Sequence, residues 1–435
     1  MIKPSEYQRR RKQLMRSAGE GAVLIIPAAP ERTRNSDVLY PYRQHSDFLY
    51  LTGFREPSAV LVLLPEARGG KAVLFCRERD AKREMWDGPM AGIEGAVNDH
   101  GMDEAYPFTE LETRLPKLLR DRTRIFFDLG QVPEFDRKLI AWVNELRNRP
   151  RKDFHAPDEI VGIDQLLHDM RLYKSRSEIS AMRKSARVAA EAHRRAMQLC
   201  RPGMTEGQIH AELLHAFTAH HCEASYIPIV GGGANACVLH YIANRDELAD
   251  GDLLLIDAGA EYDGYASDIT RTFPVNGRYS GPQRDLYELV LEAQLKAIDQ
   301  ARPGQQWDDV HMAAVRVLTQ GMLDLGILKG GFDEALEKKQ YKRFYVHNTG
   351  HWLGLDVHDV GENTIDGHSH ELEPGMVLAV EPGLYIRPDD HRVRKKWRGL
   401  GIRIEDDVAV TRDEPDVLSR QVPKTIADVE ALMAA

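Results

Sequence analysis

Apolar positions along this chain keep two different rhythms, and the change falls near residue 170. Before it, short runs of branched and aromatic residues alternate with longer polar stretches. Runs at 22–27, 47–52, 59–64, 72–76 and 124–129 predict strands, and patterns of helical period at 4–17, 110–120 and 134–148 predict helices. Strands interleaved with helices describe an α/β domain with a core of its own. Ser175 and Glu178 then stand three apart ahead of an apolar-periodic stretch. This is the capping-box spacing, in which the serine caps backbone N–H groups and the glutamate reaches back. A helix over 178–200 follows, stopped by Pro202 and Gly203. These signals divide the chain into an N-terminal α/β domain, residues 1–172, and a C-terminal domain, residues 173–435.

The C-terminal pattern occurs twice. Arg201-Pro-Gly203 closes one long helix and precedes a second helical pattern from Thr205. Arg302-Pro-Gly304 closes another, 283–301, and precedes a pattern over 308–325. Further on, DGDLLLIDAG at 250–259 matches EPGMVLAVEPG at 373–383: a turn, an apolar strand, an acid at its end and a glycine. Each is followed by a second acid-bearing strand, around Asp268 in one half and Glu405 in the other. The simplest architecture is α+β, two halves of helices and antiparallel strands related by a pseudo-twofold axis. It brings Asp257, Asp268, Glu381 and Glu405 together.

Those acids are electrostatically out of place. Within 253–273, Asp257 ends one apolar run and Asp268 interrupts another, with Asp263 and Gly264 marking the turn between them. A four-residue loop at 261–264 would set Ala260 against Tyr265 and Asp257 against Asp268, both acids pointing to one face. A single acid of this kind reads as a solvated strand-end charge. Four at equivalent places on apolar strands need cations or large pKa shifts.

The segment 345–360, YVHNTGHWLGLDVHDV, adds His347, His351 and His358 among glycines. His347 and His351 have the spacing of a zincin. Asn348, however, stands where that motif has its catalytic glutamate, and glycines with β-branched residues oppose a helix there. One imidazole added to the carboxylates suits Mn²⁺, Co²⁺ or Fe²⁺ better than a thiolate-held zinc. Two such ions would neutralise four carboxylates and lie about 3.5–4 Å apart. The run Gly231, Gly232, Gly233 is no phosphate cradle, because neither GKS/T nor GxGxxG is present; it lets the chain pass close to the site.

Composition narrows the function classes without altering this picture. With 43% hydrophobic and 29% charged residues the chain is an ordinary globular one, and a net charge of −9 argues against a nucleic-acid or anionic-membrane surface. No apolar run reaches the length of a membrane span, and the basic N-terminus, an amphipathic helix by pattern, has no hydrophobic signal core. Cys76, Cys200, Cys222 and Cys237 lack CxxC spacing and read as reduced thiols of a cytoplasmic protein. Trp86, among charges and glycines, reads equally as an anchor at an interface or site rim and as a locally packed aromatic.

Four stretches, IDAGAEYDGYASDITRTFPV, HWLGLDVHDVG, MVLAVEPGLYI and GIRIEDD, resemble motifs of the pita-bread metallopeptidases. The whole chain, N-terminal domain included, is similar to the aminopeptidase P (Xaa-Pro aminopeptidase) family. The resemblance implies a pita-bread C-terminal domain holding two divalent ions, Mn²⁺ first, with Co²⁺, Fe²⁺ or Zn²⁺ as alternatives. It implies Asp257, Asp268, His351, Glu381 and Glu405 as ligands, with Asp268 and Glu405 bridging. Glu381 would be the general base, and His358 and His240 would bind substrate and stabilise the tetrahedral intermediate. His347 would line the proline subsite, while Arg403 and Tyr385 orient the carboxylates; Tyr226 is a further candidate of that kind.

The implied activity removes the N-terminal residue from peptides with proline second. The alternative is a prolidase acting on Xaa-Pro dipeptides; Trp86 and the EPGLYI form favour the aminopeptidase. A methionine aminopeptidase has less support, since that family usually lacks an N-terminal domain of this size. A non-catalytic binding protein has less still, since all five ligands are present. The resemblance also implies a homodimer or homotetramer in which the N-terminal domain, through Trp86, closes a neighbour's site.

Overall fold

Helix α1 (Pro4–Ala18), with its proline in the first turn where no N–H is needed, leads into β1 (Ala22–Pro27) at the middle of a mixed sheet. The computed structural model describes residues 2–66, 69–149 and 153–435, and the chain separates into two compact units, Met1–Arg171 and Leu172–Ala435. In the first unit β1 is joined by β2 (Val60–Leu64), β3 (Lys71–Cys76), β4 (Glu104–Pro107), β5 (Arg124–Phe126) and β6 (Glu159–Val161). Their order is β4-β3-β2-β1-β5-β6; β1–β2 and β2–β3 are antiparallel and the other pairs parallel. Helices α2 (Ser46–Thr52), α3 (Ala81–Asp87), α4 (Leu111–Leu118) and α5 (Pro133–Asn148) complete the elements used below.

The run 47–52 is not the expected strand. It is helix α2, all seven of whose residues are buried, stopped by Gly53 in the left-handed region at φ 63°. A run buried all round has no period to separate strand from helix, and the glycine stop decides the matter.

The second unit shows the duplication directly. The first half holds α6 (Arg176–Leu199), α7 (Glu206–Ala219), β7 (Ile229–Gly232), β8 (Leu253–Asp257), β9 (Ala260–Tyr262), β10 (Tyr265–Ala266) and β11 (Thr270–Pro274). The second holds α8 (Gly281–Asp299), α9 (Trp307–Asp324), β12 (Val377–Val380), β13 (Gly383–Ile386), β14 (Leu400–Arg403) and β15 (Asp406–Ala409). Capping boxes at Ser175/Glu178 and Thr205/Gln208 start α6 and α7. The caps of α7 and α9 each make a single β-bridge, Thr205 with Glu247 and Gln306 with Glu371. One continuous core runs through both halves, with Ala189, Leu254 and Ile256 from the first and Ala293, Leu378 and Val380 from the second. Among the described residues no helix is long and apolar enough to cross a membrane.

Each half is a hairpin broken in the middle. β8 pairs with β11 and β9 with β10; β12 pairs with β15 and β13 with β14, all antiparallel. The turn between β9 and β10 is two residues long, Asp263 and Gly264 at φ 56° and 86°, not the four-residue loop expected. Both central residues at positive φ give the hairpin turn whose twist matches its strands. Tyr262 therefore faces Tyr265, and Asp257 faces Thr270 rather than Asp268. The slip is two residues, so the side-chain face is unchanged.

Candidate metal centre

Only Asp257 of the four acids lies within a strand; Asp268, Glu381 and Glu405 occupy the breaks between strands. The same register flanks each break, which sets Asp268 against Gly259 and Glu381 against Glu405. The first break closes tightly: a Cβ on Gly259 would lie 1.7 Å from the Ser267 carbonyl oxygen, so that position admits only glycine. An acid in a break escapes the strict up-and-down alternation of a ladder, and all four carboxylates turn into one cluster, with Asp257, Asp268 and Glu405 buried and Glu381 half-buried.

His351 joins them from the loop before β12. Its Nε2 lies 3.4 Å from Asp268 Oδ2, while Nδ1 lies 3.0 Å from the Trp352 carbonyl oxygen. Asp268, His351 and Glu405 each present one atom within 4.8 Å of the others, a group able to hold a metal ion. Arg403 is the cation of the cluster. Its Nη2 donates to Asp257 Oδ2 at 2.5 Å, Nη1 to the Tyr385 hydroxyl at 3.0 Å, and Nε to Thr270 Oγ1 at 3.0 Å. Thr270 in turn donates to Glu405 Oε2 at 2.6 Å.

The electrostatics are unbalanced. Burial pushes Asp257 up to about 6 although Arg403 opposes it, and burial pushes Glu381 up to about 7 although His351 and Arg403 oppose it. Burial also raises Glu405 well above the carboxylate range, helped by Asp268, Glu381 and Asp257. Asp268 alone is lowered: burial works against it, but the imidazole of His351 prevails. His351 rises correspondingly to about 9, its burial outweighed by Asp268. The Tyr226 hydroxyl sits against both Asp257 and Asp268, 2.5 Å from Asp268 Oδ1. One hydroxyl proton cannot serve two carboxylates. Four acids facing one guanidinium and one imidazole form a donor set that fits divalent cations.

Around this cluster stand the remaining candidates. His347 Nδ1 lies 2.7 Å from the Asn348 carbonyl oxygen and Nε2 lies 2.9 Å from the Tyr385 hydroxyl. Burial and Arg403 lower His347 to about 4, so the ring is neutral and accepts from Tyr385, whose oxygen accepts from Arg403. His358 is exposed and packs edge-on to His351 with ring centroids 4.4 Å apart. His240 is also exposed, and it lies near enough to His347 and His358 to oppose their protonation. Trp86 belongs to the other unit, on α3, where it is 88% exposed and no side chain of the helix is buried.

Sequence reasoning passed over Thr270, Asp407 and Thr349. Thr270 follows Asp268 by two, the period that returns a side chain to the same face, so it could have been found. Asp407 accepts the Asp268 backbone N–H at 3.0 Å, and burial with Asp268 raises it far above the usual range. The Thr349 carbonyl accepts the Glu381 N–H at 2.7 Å, and its hydroxyl lies 2.8 Å from His311 Nδ1.

Residues 180–412 match the family described as Metallopeptidase family M24, and residues 7–126 match the aminopeptidase P N-terminal domain. The chain belongs to metallopeptidase family M24. An M24 relative, the Xaa-Pro aminopeptidase of Escherichia coli (strain K12), is 44% identical, with 100% of this chain and 98% of that protein covered. Among solved structures, the Pseudomonas aeruginosa aminopeptidase PepP is 52% identical with a TM-score of 0.98, covering 100% of this chain and 98% of that one. Zinc-substituted E. coli aminopeptidase P in complex with product superposes with a TM-score of 0.97 at 44% identity, again over 100% and 98% of the two chains. Both units of the M24 chain thus find counterparts in a single relative, and its buried Asp268–His351–Glu405 group is where a metallopeptidase needs a metal-binding site.

Proposed function

We propose that this chain is an aminopeptidase that releases the N-terminal residue from peptides with proline in the second position. The observation that carries the reading is the under-neutralised cluster of buried Asp257, Asp268 and Glu405 and half-buried Glu381, with His351 beside it. Those five residues would hold two divalent ions, Mn²⁺ first and Co²⁺, Fe²⁺ or Zn²⁺ in its place. Such ions supply Lewis-acid polarisation of a carbonyl and a water acidified toward neutral pH. The kinship with Xaa-Pro aminopeptidases over both units supports the substrate class.

The chain's own groups divide the remaining work. Glu381, anchored by its N–H donating to the Thr349 carbonyl, would take a proton from the attacking water. It would return that proton to the prolyl nitrogen as the peptide bond breaks. Arg403 fixes Asp257 directly and Glu405 through Thr270, so the carboxylates cannot swing as charge moves. Neutral His347, oriented by Tyr385, offers an imidazole face to the proline ring, and His358 and His240 would steady the tetrahedral oxygen from the open side. A cytoplasmic homodimer or homotetramer, with Trp86 of one copy closing the site of the next, completes the proposal; the 88% exposure of Trp86 supports it.

A peptide panel on chelated protein, with each divalent ion restored in turn, tests this reading. Xaa-Pro-Xaa tripeptides are expected to be turned over, with Mn²⁺ most effective. Turnover of Xaa-Pro dipeptides alone would instead mean a prolidase. Glu381→Ala is expected to lose most of the activity, and near-normal turnover would remove Glu381 from its role.

A further inference from the structure

His240 lies on a segment that has little secondary structure to hold it. Between Val238 and Gly251 there is neither helix nor strand, only the single bridge of Glu247 to Thr205. The outer part is open to water, with Val238 and Ile242 each 54% exposed. Backbone groups of such a segment must be satisfied by something other than a ladder.

Glu206, the first residue of α7, supplies much of that. It is 0% exposed, and five donors converge on its carboxylate. Oε1 accepts the Gly232 N–H and Asn235 Nδ2, both at 2.9 Å. Oε2 accepts the Tyr241 hydroxyl at 2.8 Å, the Arg245 N–H at 2.8 Å and the Asp246 N–H at 2.9 Å. The Glu206 N–H returns a bond to the Asp246 carbonyl at 2.9 Å. Helix and segment also touch closely: a Cβ on Gly207 would lie 3.1 Å from the Asn244 carbonyl oxygen. An acid in the first turn of a helix ordinarily serves its own free N–H groups. This one is turned away from them and toward the neighbours of His240.

The second half places a different residue in the same position. Trp307 is the first residue of α9, and its ring packs on Trp352 at 4.1 Å between centroids, next to His351. In both halves, the residue after the cap of the second helix holds a histidine-bearing segment. One half does it with charge-assisted hydrogen bonds and the other with an aromatic contact.

We infer that Glu206 is a positioning residue, which fixes the 238–246 segment so that His240 is presented to the bound peptide. This rests on the proposed peptidase reading and on the part His240 plays in it. Glu206→Gln keeps one acceptor oxygen but, in either amide orientation, sets an NH₂ against at least two donors. It is expected to lower kcat/KM for an Xaa-Pro-Xaa peptide about tenfold in the otherwise native enzyme and less than about twofold in a His240→Ala background. Equal losses in both backgrounds, or no loss in either, would overturn the inference, because a general structural role does not depend on His240.

Should Glu206→Gln not fold, Tyr241→Phe removes one donor and leaves the carboxylate; a smaller loss with the same dependence on His240 is expected. Hydrogen exchange provides a readout free of activity: amides of 238–246 should exchange faster in Glu206→Gln while those of α6 do not change, and unaltered protection at 238–246 would overturn the anchoring. Full turnover by His240→Ala would sink the inference yet leave the peptidase reading intact. A native enzyme unable to cleave any Xaa-Pro peptide would sink that reading, and exchange alone would then decide whether Glu206 holds the segment.

Discussion

Glu405 and Asp406 are adjacent in the chain, equally buried, and opposite in environment. Asp406 is fully satisfied: it accepts from Arg271 Nη2 at 2.7 Å, Ser419 Oγ at 2.6 Å, Gln294 Nε2 at 2.8 Å and Lys424 Nζ at 2.8 Å. Burial opposes its ionisation, but Arg271 and Lys424 hold it well below the usual carboxylate range. Glu405 accepts from Thr270 and faces three other acids, and it is pushed well above that range. Asp406 opens β15 while Glu405 stands in the break before it, and the two side chains meet different surroundings, one closed by cations of this chain and the other left for cations from outside. The difference separates an acid that stabilises the fold from one whose presence the fold tolerates for another purpose.

The largest expected effect breaks the open face. Glu405→Gln should lose metal, measured by equilibrium dialysis of the chelated and reloaded protein, and with it nearly all turnover. The same change should raise the melting temperature of the metal-free protein, since it removes one of the mutually repelling carboxylates. A lower melting temperature would show that Glu405 is satisfied by the chain itself, and the contrast with Asp406 would fail.

Asp406→Asn attacks the closed face and should do the reverse. Breaking a buried pair leaves Arg271 uncompensated, and a loss of about 3–5 kcal/mol is expected in denaturant unfolding. Metal content of the folded fraction should stay unchanged. Stability near that of the native chain would mean Lys424 and Arg271 find other partners.

The pH dependence sharpens the comparison because the two faces have opposite signs. Asp257 and Glu381, raised to about 6 and about 7, bind protons more tightly in the folded, metal-free protein than in the unfolded chain. Their contribution is fully present below about pH 4 and is lost as pH rises through the range of those raised values. Asp406, lowered, contributes fully above about pH 4 and loses that contribution as pH falls from there toward its own lowered value, below the ordinary carboxylate range. Chelated protein should therefore be less stable at pH 8 than at pH 5.5 by on the order of 2 kcal/mol, and restored metal should remove most of the difference. A metal-free protein equally stable at both values would show that the acids are not strained by one another.

These contrasts also mark what the sequence could reveal. Asp257 and Glu381 stand out because a charge closing an apolar run is anomalous wherever the run is placed, and the repeated Arg-Pro-Gly stops exposed the duplication before any contact was known. The run 47–52 could not be typed, since burial on all sides erases the period that separates strand from helix. Asp268 was set two residues out of register because turn length, not strand pattern, fixes pairing. Glu405 and Asp406 read alike as adjacent acids; the arrival of Arg271 and Gln294 from distant parts of the chain, with Ser419 and Lys424, tells them apart. Glu206 reads as an ordinary first-turn acid, and three of its five donors, Tyr241, Arg245 and Asp246, come from a segment with no pattern at all.

The smallest expected effect tests whether the open face is organised by its own residues as well as by bound cations. Thr270 links Arg403 to Glu405, accepting from Nε and donating to Oε2. Thr270→Val preserves shape and β-branching but removes the hydroxyl, leaving Arg403 Nε without its acceptor and Glu405 without its donor. A stability loss of about 1–2 kcal/mol follows from two unsatisfied buried groups. The effect on function should be larger in affinity than in rate, with metal binding weakened by about tenfold, because an orienting partner is lost while every ligand remains. Glu405 would then turn more freely, and the midpoint for metal reloading should shift without loss of the final activity at saturating ion. If instead maximal turnover falls while the reloading midpoint stays in place, Thr270 acts on the reacting groups, and the division between the surroundings of Glu405 and Asp406 is less clean than the geometry indicates.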